Sequence, residues 1–171
     1  MLELLAVPQD VADADAAPEL ALGAGEVRFE SVSFSYESAR SILKDVSFTA
    51  APGSLIAFVG SSGAGKSTIA RLLYRFYDVH GGRITIDGQD IRDITQTSLR
   101  SAIGTVPQDT VLFNDTVYYN IAYGRPGATP AEVEEAARLA RIHDFIMKTP
   151  NAYQTTVGER GLKLSGGEKQ R

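Results

Sequence analysis

Gly60-Ser61-Ser62-Gly63-Ala64-Gly65-Lys66-Ser67 fits the pattern G-x-x-x-x-G-K-[ST] at every fixed position. The residues on either side supply the context that the pattern needs. Leu55-Ile56-Ala57-Phe58-Val59 is an unbroken apolar run, which predicts a strand buried on both faces. After the loop, Ile69, Leu72, Leu73 and Phe76 recur at helical spacing and predict one apolar helix face. Strand, glycine loop and helix together make a phosphate cradle. Gly60, Ser61, Ser62, Gly63, Ala64 and Gly65 let the backbone wrap an anion, and the helix start at Lys66, Ser67 and Thr68 turns its partial positive charge toward it. In this reading Lys66 neutralises the β- and γ-phosphates, and the Ser67 hydroxyl binds Mg²⁺.

Composition narrows the classes. The chain has 171 residues, enough for one domain with a sizeable core and short for two. With 43% hydrophobic and 22% charged residues it reads as globular rather than disordered. A net charge of -4 argues against a broad nucleic-acid footprint, although a nucleotide needs only backbone N–H groups and a lysine. No cysteine is present, which excludes disulfides and thiolate metal sites and fits a reducing compartment. No apolar stretch is long enough to span a bilayer, and Met1-Leu2-Glu3-Leu4-Leu5 lacks the basic start of a signal peptide. His80 and His143 are isolated and lack ligand spacing.

Outward from the loop, residues 1–25 are rich in Ala, Pro and acids (Glu3, Asp10, Asp13, Asp15, Glu19) and read as a solvated linker, with a helical turn at its start. Val27 and Phe29, then Val32, Phe34 and Tyr36, alternate with polar residues but change parity. That predicts a bulge near Glu30-Ser31. Val46, Phe48 and Ala50 alternate again, and Ile84 and Ile86 lead into a tight Asp87-Gly88 turn. A short helix closes over Leu99 to Ala102, and Ile103 to Val106 reads as a strand ending at Pro107. From about Asp115 the pattern is helical. Thr129-Pro130-Ala131-Glu132 makes a capping box, and Val133, Ala136, Ala137 and Ala140 line one face.

The tail, Leu164-Ser165-Gly166-Gly167-Glu168-Lys169-Gln170-Arg171, read with the glycine loop, resembles the signature motif of ATP-binding cassette (ABC) proteins. The resemblance covers about residues 26–171. It implies an α/β P-loop NTPase fold of the ABC type, with an antiparallel β-subdomain, a truncated parallel-sheet core and a helical subdomain, the first 25 residues linking to a transmembrane domain. It implies ATP and Mg²⁺ as ligands and a second nucleotide-binding domain as partner, whose ATP would be faced by Leu164, Ser165, Gly166, Gly167 and Glu168. Tyr36 matches the aromatic on which adenine stacks, and Gln108 in Val106-Pro107-Gln108-Asp109 matches the glutamine that reaches Mg²⁺ and the attacking water. By residues alone, Tyr36 reads first as a half-buried strand tyrosine and Gln108 as a loop residue.

Thr155-Thr156-Val157-Gly158-Glu159-Arg160-Gly161 looks like the T-x-V-G-E-x-G segment of ABC exporters, which implies that Glu159 couples the cassette to the transmembrane domain on the cytoplasmic face of the inner (plasma) membrane. Leu73-Tyr74-Arg75-Phe76-Tyr77-Asp78 and Thr110-Val111-Leu112-Phe113-Asn114-Asp115 resemble the mitochondrial and alphaproteobacterial half-exporters linked to iron–sulfur assembly, glutathione conjugates and heavy-metal tolerance. The alternatives are an ATP-binding module without hydrolysis and a non-transport ABC ATPase.

An ABC ATPase also needs an apolar strand ending in Asp, followed by a glutamate that polarises water, and a later switch histidine. Asp87 and Asp115 do not fit: Asp87 opens a glycine turn, and Thr116 stands where the glutamate would follow Asp115. The expectation is a fragment cut at both ends, marginally stable on its own and without ATP turnover.

Overall fold

The computed structural model describes residues 11–37, 41–107, 110–159 and 161–171. The chain divides after Gly104 into two compact units. The first is built on a four-stranded antiparallel sheet in the order β2-β1-β3-β4, with β1 at Val27–Phe34, β2 at Leu43–Ala50, β3 at Gly81–Ile86 and β4 at Gln89–Asp90. Val27, Phe29 and Val32 of β1 stand opposite Ala50, Phe48 and Val46 of β2, and the Phe29 and Phe48 rings stack at 4.5 Å. Between Phe29 and Val32 the register slips at the predicted bulge, with Ser31 at φ 49°. The slip keeps Val32 and Phe34 on the buried face after the parity change. Gly82 lies so close to the Glu30 and Ser31 carbonyls that no Cβ fits there. Asp87 and Gly88, both at positive φ, make the two-residue turn from β3 to β4.

Helix α1 (Lys66–Leu73) lays Leu72 on the core formed by Phe29, Val32, Phe34, Leu43 and Ile84, with Ile69 and Leu73 beside it. The expected fourth member of that face does not join it. The helix ends at Tyr74, Arg75 takes a left-handed conformation (φ 50°), and the helical period breaks. Phe76 therefore turns outward, beneath the Arg100 guanidinium at 5.3 Å, while the charged Arg75 is 3% exposed. Arg75 donates to the carbonyls of Ile94 and Ala12 and pairs with Asp78 at 3.0 Å and Asp13 at 3.5 Å. Helix α2 (Gln96–Ser101) adds Leu99 to the core.

Two predicted strands are absent among the described residues. Leu55–Val59 runs without a ladder, its Leu55 and Val59 almost fully exposed (96% and 95%), and Ile103–Val106 is likewise unpaired. A strand exists through the hydrogen bonds of its neighbours, and none of the described segments forms a ladder with either run. The parallel-sheet core expected from the resemblance is therefore not formed by these residues.

From residue 11 onward the segment expected as a solvated linker is largely exposed yet bonded to the first unit; the helical turn foreseen at its start lies outside the described residues. Leu20 packs on the core, and its N–H bonds to the Ser98 hydroxyl. Thr95 donates to the Pro18 carbonyl, Asp13 accepts from the N–H of Gln96, and Ala21 exchanges two bonds with the Gln89 side chain. The Asp87 carboxylate collects the N–H groups of Gly23, Gly25 and Glu26. The segment is tied along the sheet edge by groups some 60 to 85 residues away in sequence.

The second unit is helical: α3 (Val117–Ala122), α4 (Pro130–Leu139), α5 (His143–Ile146), a 3₁₀ turn at Ala152–Gln154 and α6 (Gly166–Gln170). Val117, Ala137, Ile142, Ile146 and Val157 form its core. The predicted box opens α4: Thr129 N–H donates to the Glu132 carboxylate at 2.8 Å, and Glu132 N–H returns to the Thr129 hydroxyl. Val133 and Ala137 are the buried face of α4, Ala140 is half-buried and Ala136 is exposed, so the apolar stripe is narrower than the sequence suggests. His143 bonds through Nδ1 to the Tyr153 hydroxyl at 2.8 Å, and His80 stacks on Phe34. No described helix is long and apolar enough to cross a membrane.

Candidate nucleotide-binding site

The glycine loop leaves the Leu55–Val59 run and folds back on itself, with Ala64 N–H turned to the Ser61 carbonyl. Gly63 (φ 80°) and Gly65 (φ 90°) hold conformations that side-chain-bearing residues avoid. Gly65 has a second reason to be glycine, because a Cβ there would sit 2.8 Å from Cδ2 of Leu43. The loop is thus pressed against β2. Gly65 is also the N-cap of α1, and it supplies no side-chain acceptor to the first turn, which carries no acidic residue either. The N–H groups and partial positive charge at this helix start stay available to an anion. The Lys66 ammonium reaches back along the loop to the carbonyls of Gly60 at 2.8 Å and Ser61 at 2.7 Å. Ser61, Ser62, Gly63, Ala64 and Ser67 are exposed, so backbone, ammonium and hydroxyl face one accessible loop. These groups fit a polyphosphate with its cation.

Tyr36 follows β1 and leans on this helix. Its hydroxyl lies 3.2 Å from both Thr68 Oγ1 and Arg71 Nη1, while Phe34 and Tyr77 meet its ring edge-on at 5.0 Å and 5.1 Å. Tyr36 as a whole is 41% exposed. Thr68 itself is buried. Sequence reasoning missed Arg71, although its i, i+3 spacing from Thr68 on one helix face was a usable signal.

In the second unit, Leu164 packs against the core and Ser165 caps α6. Ser165 N–H donates to Glu168 Oε2 at 2.7 Å, and Glu168 N–H returns to the Ser165 hydroxyl. The Ser165 backbone N–H, foremost, holds the Glu168 carboxyl below its usual range. Gly166 and Gly167 have open space around them. Glu159 is exposed on a loop fixed by Val157 N–H to the Asp115 carbonyl and Leu162 N–H to the Thr156 carbonyl. Both glycines of that loop are required by close approach: Gly158 (φ 100°) abuts Asn114, and Gly161 abuts the Thr156 carbonyl. Gln108 lies outside the described residues. Asp87 and Asp115 serve turns, the former as above and the latter by accepting Thr116 N–H at 2.6 Å.

The sequence model of the ABC transporter family matches residues 43–171. The chain belongs to the ABC transporter family. Among ABC transporters it is 61% identical, over all 171 residues, to an ATM1-type heavy metal exporter of Novosphingobium aromaticivorans, covering 28% of that protein. It is 60% identical to human ATP-binding cassette sub-family B member 6, covering 20% of it, and 54% identical to the heavy metal tolerance protein of Schizosaccharomyces pombe, covering 21%. A solved bacterial Atm1-family ABC exporter with ATP bound superposes with a TM-score of 0.93 at 60% identity, over 98% of this chain and 29% of that one. The chain thus has the ABC cassette fold and spans between a fifth and a third of the length of these relatives.

Proposed function

We propose that this chain is the ATP-binding portion of an ABC exporter, in which ATP binding and hydrolysis between two cassettes drive export through a transmembrane domain. The observation that carries the reading is the glycine-capped, acid-free start of α1 behind a loop of left-handed glycines, with Lys66 curled along it. Gly60 to Thr68 hold the phosphates, Lys66 offsets the charge of the β- and γ-oxygens, and Ser67 with Gln108 holds Mg²⁺. Bound there, Mg²⁺ would neutralise charge on the β- and γ-phosphates. Tyr36 stacks on the base through its exposed surface. Leu164 to Glu168 face the γ-phosphate of the second cassette's ATP: the Ser165 oxygen is engaged by its own cap, which leaves the hydroxyl proton and the N–H groups of Gly166 and Gly167 to donate. Glu159, exposed on a loop held by backbone hydrogen bonds, meets the transmembrane domain at the cytoplasmic face of the membrane.

The names of the relatives, a heavy metal exporter and a heavy metal tolerance protein, support cargo that carries heavy metal. The test is ATP-dependent uptake of metal conjugates into inverted vesicles bearing the full-length protein. Uptake that Lys66→Ala and Gly166→Asp each abolish is expected. Uptake without ATP, or untouched by Lys66→Ala, contradicts the reading.

A further inference from the structure

The Tyr36 ring is seated by two kinds of contact. Phe34 and Tyr77 touch it edge-on, which fills space around the ring but leaves it free to swing. Its hydroxyl is directional: Thr68 and Arg71 hold it from one face of α1, and the Arg71 guanidinium stands 6.0 Å from the ring centroid. The same helix begins with Lys66 and Ser67. One rigid element therefore carries both the phosphate seat and the two groups that set the ring's orientation.

We propose that the Tyr36 hydroxyl ties the base-stacking ring to α1, and that Arg71 is a positioning residue for ATP acting through that hydroxyl. The proposal rests on the reading that Tyr36 carries the base. Its physical basis is preorganisation. A ligand that spans a loop and an aromatic platform binds best when the distance between them is already fixed, because less ordering remains to be done on binding. A ring held only by its edges would have to be ordered by the nucleotide. An exposed hydrogen bond of 3.2 Å is a modest one, so its loss should weaken ATP binding about three- to tenfold.

The experiment measures equilibrium affinity of the full-length protein for ATP and, separately, for inorganic tripolyphosphate. The variants are Tyr36→Phe, Tyr36→Ala, Arg71→Met and the double variant Tyr36→Phe/Arg71→Met. Expected are a three- to tenfold loss for ATP in Tyr36→Phe and in Arg71→Met, and a double variant no weaker than Tyr36→Phe alone. Tripolyphosphate affinity should be the same in all four, since it has no base to place. If Tyr36→Phe binds ATP like the wild type while Tyr36→Ala loses affinity, the tie is wrong and the base platform stands. If Tyr36→Ala also binds like the wild type, the platform itself is wrong. If Arg71→Met weakens tripolyphosphate as much as ATP, Arg71 acts on the phosphates and the proposal is overturned.

Discussion

Replacing Arg75 by Met should loosen the N-terminal segment from the first unit without unfolding it. The substitution keeps an unbranched, largely apolar stem and the same backbone strain at φ 50°, and removes the guanidinium with its charge and donors. Four polar contacts go: two to carboxylates, Asp13 and Asp78, and two to carbonyls, Ala12 and Ile94. Breaking a fully buried ion pair costs about 3–5 kcal/mol. Here the arginine is buried, but the side chains of Asp13 and Asp78 are about one-third exposed and regain water. The loss is therefore smaller on that side, while the Ile94 carbonyl, beside a buried residue, keeps most of its penalty. A local cost of about 2–3 kcal/mol follows, equivalent to roughly 30- to 150-fold in an opening equilibrium. Amide hydrogen exchange in the full-length protein reads it at Leu20, Ala21 and Thr95, whose N–H groups make the bonds that fasten this segment. Faster exchange at these three, with β1 and β2 little changed, is expected. Unchanged exchange at Leu20, Ala21 and Thr95 in a folded Arg75→Met protein would refute the clamp, and a uniform rise across β1 and β2 would place the loss in overall stability.

Further outcomes follow from the same geometry. The N–H groups of Glu26, Gly23 and Gly25 hold the Asp87 carboxyl below the usual carboxylate range. Its contribution is thus complete above the ordinary aspartate value and lost as pH falls through the depressed folded one. Protection of those three amides, corrected for intrinsic rates, should fall below about pH 4, and Asp87→Asn should remove most of it at neutral pH. Gly65→Ala should weaken nucleotide binding at least tenfold, because a left-handed alanine is strained and its methyl meets Leu43; calorimetric titration with ATP measures it. Gly158→Ala, at φ 100° against Asn114, should destabilise the loop carrying Glu159 and raise its protease sensitivity.

The legible parts of this chain were those fixed by local chemistry. Gly63 and Gly65 announce left-handed backbone wherever they occur in that pattern, Thr129 and Glu132 cap a helix by contacts three residues apart, and the parity change at Glu30-Ser31 needs a bulge within one strand. What escaped depends on residues far apart in sequence. Leu55–Val59 has the composition of a buried strand, yet strand formation needs neighbours, and none of the described residues provides them. Arg75 looks like a surface residue, and its burial follows only from where Asp13, Asp78 and two carbonyls meet. The segment around Pro18 has a linker's composition but finds partners on β4 and α2. At the site, the loop was plain from its motif, whereas the bond from Tyr36 to Thr68 and Arg71 joins a strand end to a helix some 30 residues away.

The most direct test is the ATP affinity of the full-length protein with and without the Lys66 ammonium. Equilibrium binding of ATP with Mg²⁺ should fall at least a hundredfold in Lys66→Ala, with the protein still folded by circular dichroism, because the ammonium of the loop and its charge-assisted bonds to the phosphates are lost. Equal affinity in wild type and Lys66→Ala would contradict the assignment of the loop at Gly60–Ser67 as the phosphate seat, and with it the account of this chain as an ATP-binding cassette.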